Sequence, residues 1–302
     1  MEQFFELRVG DLRFSAVERP LSEYDTVREF VVAPEVRGGP CVVFHFGDPS
    51  LGSAVLIQSI LYNSACSSDL PLVRRTGTRA MVLGAMHAFM RRARTLYPHL
   101  RSFELADEAH FPCPPISPSI KTFATDLLLS KTTYYQRHLG VRPTTARTRA
   151  LLDSVAVRLD APVAAGGFDA FWTVLTTADT AVPRTRRQME WLGQRRDEIQ
   201  RSYVRAASRG RTWRQLFRCL HAKYDCAFFA CCWWRLCVRF GMTGLVGASW
   251  TVDFGDVPRP AEVASLVARR SGGGVAFRRA YDAAMRKAHA LRHGLGRFRG
   301  PR

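Results

Sequence analysis

The first third of the chain alternates apolar and polar positions with a period of two. Residues 4–9 (FFELRV) and 12–16 (LRFSA) do so on either side of Gly10-Asp11, which predicts a β-hairpin. Residues 40–46 and 54–62 are short apolar runs, closed by Gly47-Asp48-Pro49 and by Asn63-Ser64, and both read as strands. Then the period changes. Apolar side chains at 81, 82, 85, 86, 89, 90, 93 and 96 predict a helix over 78–96, which Pro98 closes. Residues 102–106 read as a buried strand and 110–119 as a loop with four prolines. Residues 120–138 read as a helix with Gly140 as its C-terminal cap.

From about 144 onward the spacing is helical. It predicts helices over 145–159, 167–178, 184–207, 212–240, 260–270 and 276–292, with one β-like island at 249–254. Glycine-rich joints fall at 164–167 and 271–274, and no internal repeat is present. The expected fold class is α/β. A mixed-sheet domain spans 1–143. A mostly helical, Arg-rich region spans 144–292, from which 249–254 returns as a strand to the sheet. A flexible basic tail spans 293–302.

Composition excludes a mainly disordered chain: 47% of the 302 residues are hydrophobic and 23% charged. Charge changes the picture more. There are 44 basic residues against 26 acidic ones, net +18, and all but four of the basic residues are arginines. A G+C-rich coding sequence raises Arg over Lys with no binding role, so the ratio alone leaves codon bias and phosphate binding both open. Position is more informative. Residues 1–150 carry 18 basic and 14 acidic residues, and 151–302 carry 26 and 12. The second region is thus expected to face a polyanion, either nucleic acid, an anionic membrane surface or an acidic protein. The plain alternative is a solvated Arg-rich surface. Segment 184–207 carries Arg184, Arg186, Arg187, Arg195 and Arg196, the candidate nucleic-acid contacts, beside an apolar side that includes Trp191, Leu192, Ile199 and Tyr203. Residues 226–240 mix Phe228, Phe229, Trp233, Trp234 and Phe240 with arginine, as base-stacking platforms do. The run is apolar nearly all round, which favours a buried core helix.

No stretch is long and apolar enough for a membrane span, and the acidic N-terminus lacks the features of a secretory signal. The expectation is an intracellular protein that is not secreted. The eight cysteines lack CxxC spacing and read as reduced, mostly buried thiols. A zinc site from Cys219, His221, Cys226 and Cys231 is conceivable, but its spacing matches no usual pattern, so no metal is expected.

One stretch carries candidate chemistry. Arg74-Arg75-Thr76-Gly77-Thr78 sits directly before the helix at 78–96, where unpaired N–H groups and a glycine make an anion site. About 60 residues on, Tyr134-Tyr135-Gln136-Arg137-His138-Leu139-Gly140 closes the next helix. Together, over about 40–142, these resemble the GNAT superfamily of N-acetyltransferases. There, a Q/R-x-x-G-x-G/A loop cradles the pyrophosphate of acetyl-CoA, and a tyrosine near a helix end protonates the departing thiolate. Arg74 and Gly77 match two fixed positions of that loop, while Arg79 stands where the third is Gly or Ala. The linker from 63 to 73 is long for the family, and Tyr135 lies one residue further from its glycine than usual. The resemblance implies acetyl-CoA as cofactor, held by Arg74, Arg75, Thr76, Gly77 and Thr78. It implies Tyr135 as acid and Glu104 or Asp107 as base. The departures leave a second reading open: a catalytically inactive copy of the fold that binds a polyanion through its basic half. The aromatic pair before His-Leu-Gly is also similar to uncharacterised proteins of large DNA viruses.

Overall fold

A computed structural model describes residues 2–10, 12–21, 24–34, 41–48, 52–60, 78–107, 110–114, 116–177, 182–259 and 264–268. The architecture is mixed α/β, with a mostly antiparallel open sheet and nine α-helices among the described residues. Two compact units divide the chain. One comprises 1–106, 138–142 and 251–302, and the other 107–137 and 143–250. This division interleaves the chain rather than cutting it once at 143.

The sheet unit begins with β1 (Gln3–Val9), β2 (Leu12–Leu21), β3 (Tyr24–Pro34), β4 (Val42–Phe46) and β5 (Ala54–Ile60). Helix α1 (Thr78–Leu96) and strand β6 (Ser102–Ala106) follow. The strand order is β11-β1-β2-β3-β4-β5-β6-β10-β9, with β9 at Arg142–Pro143, β10 at Ser249–Asp253 and β11 at Ala264–Ala268. The predicted hairpin forms at Gly10, whose φ of 57° supplies the left-handed turn. Successive strands from β1 to β5 pair antiparallel. Among the described residues from β1 to β6 the one parallel pair is β5 with β6, and α1 is the crossover between them.

One expectation fails in this unit. Of the helix expected over 260–270, the described residues, Ala264–Ala268, are instead a strand paired antiparallel with β1, because β1 offers an open row of backbone groups to it. Strand β3 has no counterpart in the sequence reading. The expected helix at 276–292 and the tail at 293–302 lie outside the described residues.

The apolar side of α1 meets one sheet face through aromatic rings. Phe89 lies 5.1 Å from Phe30, 5.1 Å from Phe44 and 5.0 Å from Phe46, all buried. Charges are buried here too, always in opposite pairs. Glu18 accepts from Arg28 of the next strand at 2.8 Å and from Arg92 of α1 at 2.7 Å. Glu29 accepts from Arg19 at 2.8 Å. Glu18 and Glu29 are 3% and 1% exposed, so ionised carboxylates here depend on those guanidinium partners.

The helical unit holds α2 (Thr122–Leu129), α4 (Ala146–Asp160), α5 (Phe168–Thr176), α6 (Arg186–Gly193), α7 (Arg196–Ser208), α8 (Trp213–Tyr224) and α9 (Ala227–Phe240). Short helix α3 (Tyr134–Leu139) begins in it. The proline-rich stretch is a two-stranded hairpin, β7 (His110–Cys113) with β8 (Ser117–Lys121), rather than a loop. The core collects Phe171, Tyr203, Trp213, Phe217, Phe228, Phe229, Leu236 and Phe240. Helix α9 is buried on most of its circumference, so its aromatics are packing residues.

Three expected helices are each broken in two. The 120–138 segment stops at Ser130 and restarts at a capping box, in which Thr133 Oγ1 accepts from Gln136 N–H and Gln136 Oε1 accepts from Thr133 N–H. The 184–207 segment breaks after Gly193. The 212–240 segment breaks at Asp225, where φ is 51°. Capping boxes at Thr185/Gln188 and Thr212/Gln215 start α6 and α8.

Candidate functional site

The candidate cofactor loop falls largely outside the description. Arg74, Arg75, Thr76 and Gly77 lie outside the described residues, and Thr78 is described only as the first residue of α1. What frames the loop is described. The β5–β6 ladder joins Ala54, Leu56 and the residue between them to Ser102, Phe103 and Glu104. Among the described residues it joins nothing further along, so the two strands pair at their amino ends only. In parallel sheets the carboxyl ends of strands joined by a helical crossover are where ligands bind. Glu104 is the last residue of β6 paired with β5 and is half-buried. It points away from Phe103 and Leu105, which are buried.

The other two candidate catalytic residues lie in the helical unit. Asp107 follows β6 directly and is 2% exposed, and its N–H donates to the Ala248 carbonyl at 3.3 Å. Tyr135 is 9% exposed on α3. Its helix start is fixed by the capping box and by Asp126, which accepts from Tyr134 N–H at 2.5 Å and from Arg137 at 2.8 Å. The Tyr134 ring stands edge-on to it at 5.8 Å. Burial pushes the Tyr135 phenol far above its ordinary pKa, and the charge of Asp107 adds to that. The structure therefore brings Tyr135 and Asp107 into electrostatic contact. A phenol held this way stays protonated and offers a hydrogen bond. Full proton transfer to a thiolate, the weaker base, is uphill.

The five candidate nucleic-acid arginines do different jobs. Arg184 donates to the Thr176 carbonyl at 2.6 Å, the Thr177 carbonyl at 2.9 Å and the Leu175 carbonyl, closing the C-terminus of α5. Arg195 stacks 4.5 Å over the Trp191 ring and donates to the Trp191 carbonyl. Arg196 pairs with Asp169 at 3.2 Å and lies over Phe168. Arg186 is exposed and pairs with Glu190 one turn on at 2.7 Å. Arg187 is exposed at the rim of a cleft.

Sequence reasoning missed three more arginines of this kind. Arg214, 3% exposed, donates to the Leu127 and Ser130 carbonyls at the end of α2 and to Asp160 at 2.8 Å. Arg218 donates to the Leu129 carbonyl at 2.6 Å. Arg235, 5% exposed, reaches the Val182 carbonyl at 2.8 Å and the Thr177 carbonyl at 3.2 Å. The planar, five-donor fork of arginine suits several converging carbonyls, and its charge suits a helix C-terminus. No local signal marks these contacts, because donor and acceptor lie 53 to 89 residues apart.

The cysteine reading needs correction. Cys113 and Cys226 form a disulfide across 113 residues, and Cys41 is disulfide-bonded as well. Cys219, Cys231, Cys232 and Cys237 are free. A spacing rule cannot find a bridge between distant elements that only the tertiary fold brings together. The disulfide also withdraws Cys226 from the conceivable zinc quartet, and no group of three potential metal ligands is found among the described residues. No helix among the described residues is long and apolar enough to cross a membrane.

Comparison of the chain with protein-family models, with curated proteins and with solved structures finds no match.

Proposed function

We propose that the sheet unit binds an acyl-coenzyme A thioester at the carboxyl ends of β5 and β6 and that the protein transfers the acyl group to an amine. The observation that carries this reading is the crossover itself: one parallel strand pair in an otherwise antiparallel run, bridged by α1 and paired only at its amino ends. That arrangement supports the GNAT-like reading, in which the start of α1 at Thr78 is the end that favours a pyrophosphate. Arg74, Arg75, Thr76, Gly77 and Thr78 hold the cofactor in this reading. A neutral amine attacks the thioester carbonyl, the new C–N bond forms, the C–S bond breaks with coenzyme A leaving as its thiolate, and the amine proton passes to Glu104, the candidate base that belongs to the sheet unit. The roles of Asp107 as base and Tyr135 as hydrogen-bond donor to the leaving sulfur come from the resemblance alone, since both residues belong to the helical unit. Calorimetric titration with acetyl-CoA and desulfo-coenzyme A, in moderate salt and with nucleic acid removed, tests it. Saturable binding that is lost in Gly77→Glu is the expected result. Absence of binding, or binding that fades with salt alone, overturns it.

The inactive-scaffold reading keeps one supporting observation, the exposure of Arg186 and Arg187 on α6. Its test is the salt dependence of nucleic-acid binding in the Arg186→Gln, Arg187→Gln double variant, which leaves the Arg184 cap intact.

A further inference from the structure

The helical unit has a cleft of about 490 Å³ whose wall includes the Cys113–Cys226 disulfide. The two sulfurs are not equally accessible. Both cysteines line the cleft, but Cys113 is 1% exposed and packs in an apolar cluster with Ile116, Ile120, Ala230 and Cys231, whereas Cys226 is half-buried. An incoming sulfur therefore meets the more exposed Cys226, with Cys113 as the leaving group.

The remaining walls are chemically mixed. Trp191 and Tyr224 stand edge to face at 5.4 Å, Arg187 supplies a cation, and Glu190 and Asp225 supply carboxylates. Asp225 also precedes Cys226 at φ 51°, ψ −135°, a region natural to glycine. His221 holds it there from both sides. The Asp225 N–H donates to the His221 carbonyl at 2.7 Å, and the His221 ring nitrogen Nδ1 donates to the Asp225 carbonyl at 2.9 Å. The disulfide thus directly follows a turn that His221 holds at positive φ.

We propose that Cys226 is a thiol–disulfide exchange site for a small zwitterionic peptide thiol of the glutathione class, seated in this cleft. The thiolate sulfur of the peptide attacks Cys226 Sγ, a new S–S bond forms, the Cys113–Cys226 bond breaks, and Cys113 leaves as a thiolate that takes up a proton. Arg187 receives a carboxylate of the peptide, Glu190 and Asp225 its ammonium group, and the two rings pack against its backbone. The mixed disulfide persists for a physical reason. Cys113 takes up a proton once it has left, and burial pushes the thiol of neighbouring Cys231 up to about 12, so Cys231 does not readily resolve the mixed disulfide.

The test uses the full chain carrying Cys219→Ser, which removes the exposed free thiol. The folded protein is incubated with reduced glutathione, or with 2-mercaptoethanol at equal thiolate concentration, quenched in acid and mapped by mass spectrometry. The expected result is one glutathione per chain on Cys226 with Cys113 as a free thiol, formed faster than the mercaptoethanol adduct. Arg187→Ala, with an unchanged near-ultraviolet circular dichroism spectrum, removes that rate advantage. An adduct on Cys113 or on Cys41, an adduct that forms only in urea, or equal rates with both thiols overturns the proposal.

Discussion

The two units use arginine in opposite ways. In the sheet unit, half-buried guanidinium groups meet buried carboxylates: Arg28 and Arg92 at Glu18, Arg19 at Glu29. In the helical unit Arg184, Arg214, Arg218 and Arg235 meet main-chain carbonyls at the ends of helices, and of these four Arg214 also pairs with a carboxylate, Asp160. A carboxylate cancels the charge it binds, and a carbonyl does not. The sequence counts do not separate the units in this way. Residues 1–106, 138–142 and 251–302 carry 24 basic and 15 acidic residues, and 107–137 and 143–250 carry 20 and 11, a net +9 in each. Ten of the basic residues of the sheet unit fall in 269–302, outside the described residues, while part of the positive excess of the helical unit goes to main-chain carbonyls inside the fold. A net charge read from sequence reports partners inside the fold as well as partners outside it.

The comparison breaks most sharply at Glu18. Glu18→Ala leaves Arg28 and Arg92 without their shared carboxylate and is expected to cost about 3 kcal/mol, read from urea unfolding. Removing Glu190 on the helical unit, whose pair with Arg186 is exposed, is expected to change stability by less than about 0.5 kcal/mol. The disulfide comes next. A Cys113→Ala, Cys226→Ala double variant is expected to lose about 2–4 kcal/mol, since the bond closes a long loop. A smaller effect of opposite sign is expected at Asp225. Asp225→Gly relieves the positive φ and is expected to gain about 1 kcal/mol, seen as a higher melting temperature.

The smallest effects appear only when pH is moved. Tyr135 has a folded pKa raised chiefly by burial, so its stabilisation is fully present below the ordinary phenol value of about 10 and is lost as pH rises beyond it. Tyr135→Phe is expected to flatten the alkaline limb of the pH–stability curve. Asp160 behaves in the opposite sense. Burial pushes its pKa up, but hydrogen bonds from Arg214 and Lys131 hold it below its ordinary value. Its contribution is present above about pH 4 and is lost as pH falls below that.

The elements legible in the sequence were those fixed locally. The β1–β2 hairpin and α1 declare themselves by period and punctuation. Strand β11 does not, because ASLVA suits a helix as well as a strand, and the open edge of β1 decides between them. The break between α8 and α9 is equally silent, since a positive φ at Asp225 has no local sequence marker as a glycine would. Of the candidate site, Tyr135 and Asp107 were legible as residue types, but their electrostatic contact belongs to the tertiary fold. The guanidinium caps and the disulfide were illegible for the same reason, their partners lying tens of residues away.

The most direct test of the arginine account is equilibrium urea unfolding of Arg214→Lys beside Arg214→Met. Lysine keeps the charge but lacks the fork that reaches Leu127, Ser130 and Asp160 together. The account predicts that Arg214→Lys loses at least half of the stability that Arg214→Met loses. An Arg214→Lys protein within about 0.5 kcal/mol of wild type would contradict it, because charge rather than carbonyl capping would then be what this position supplies.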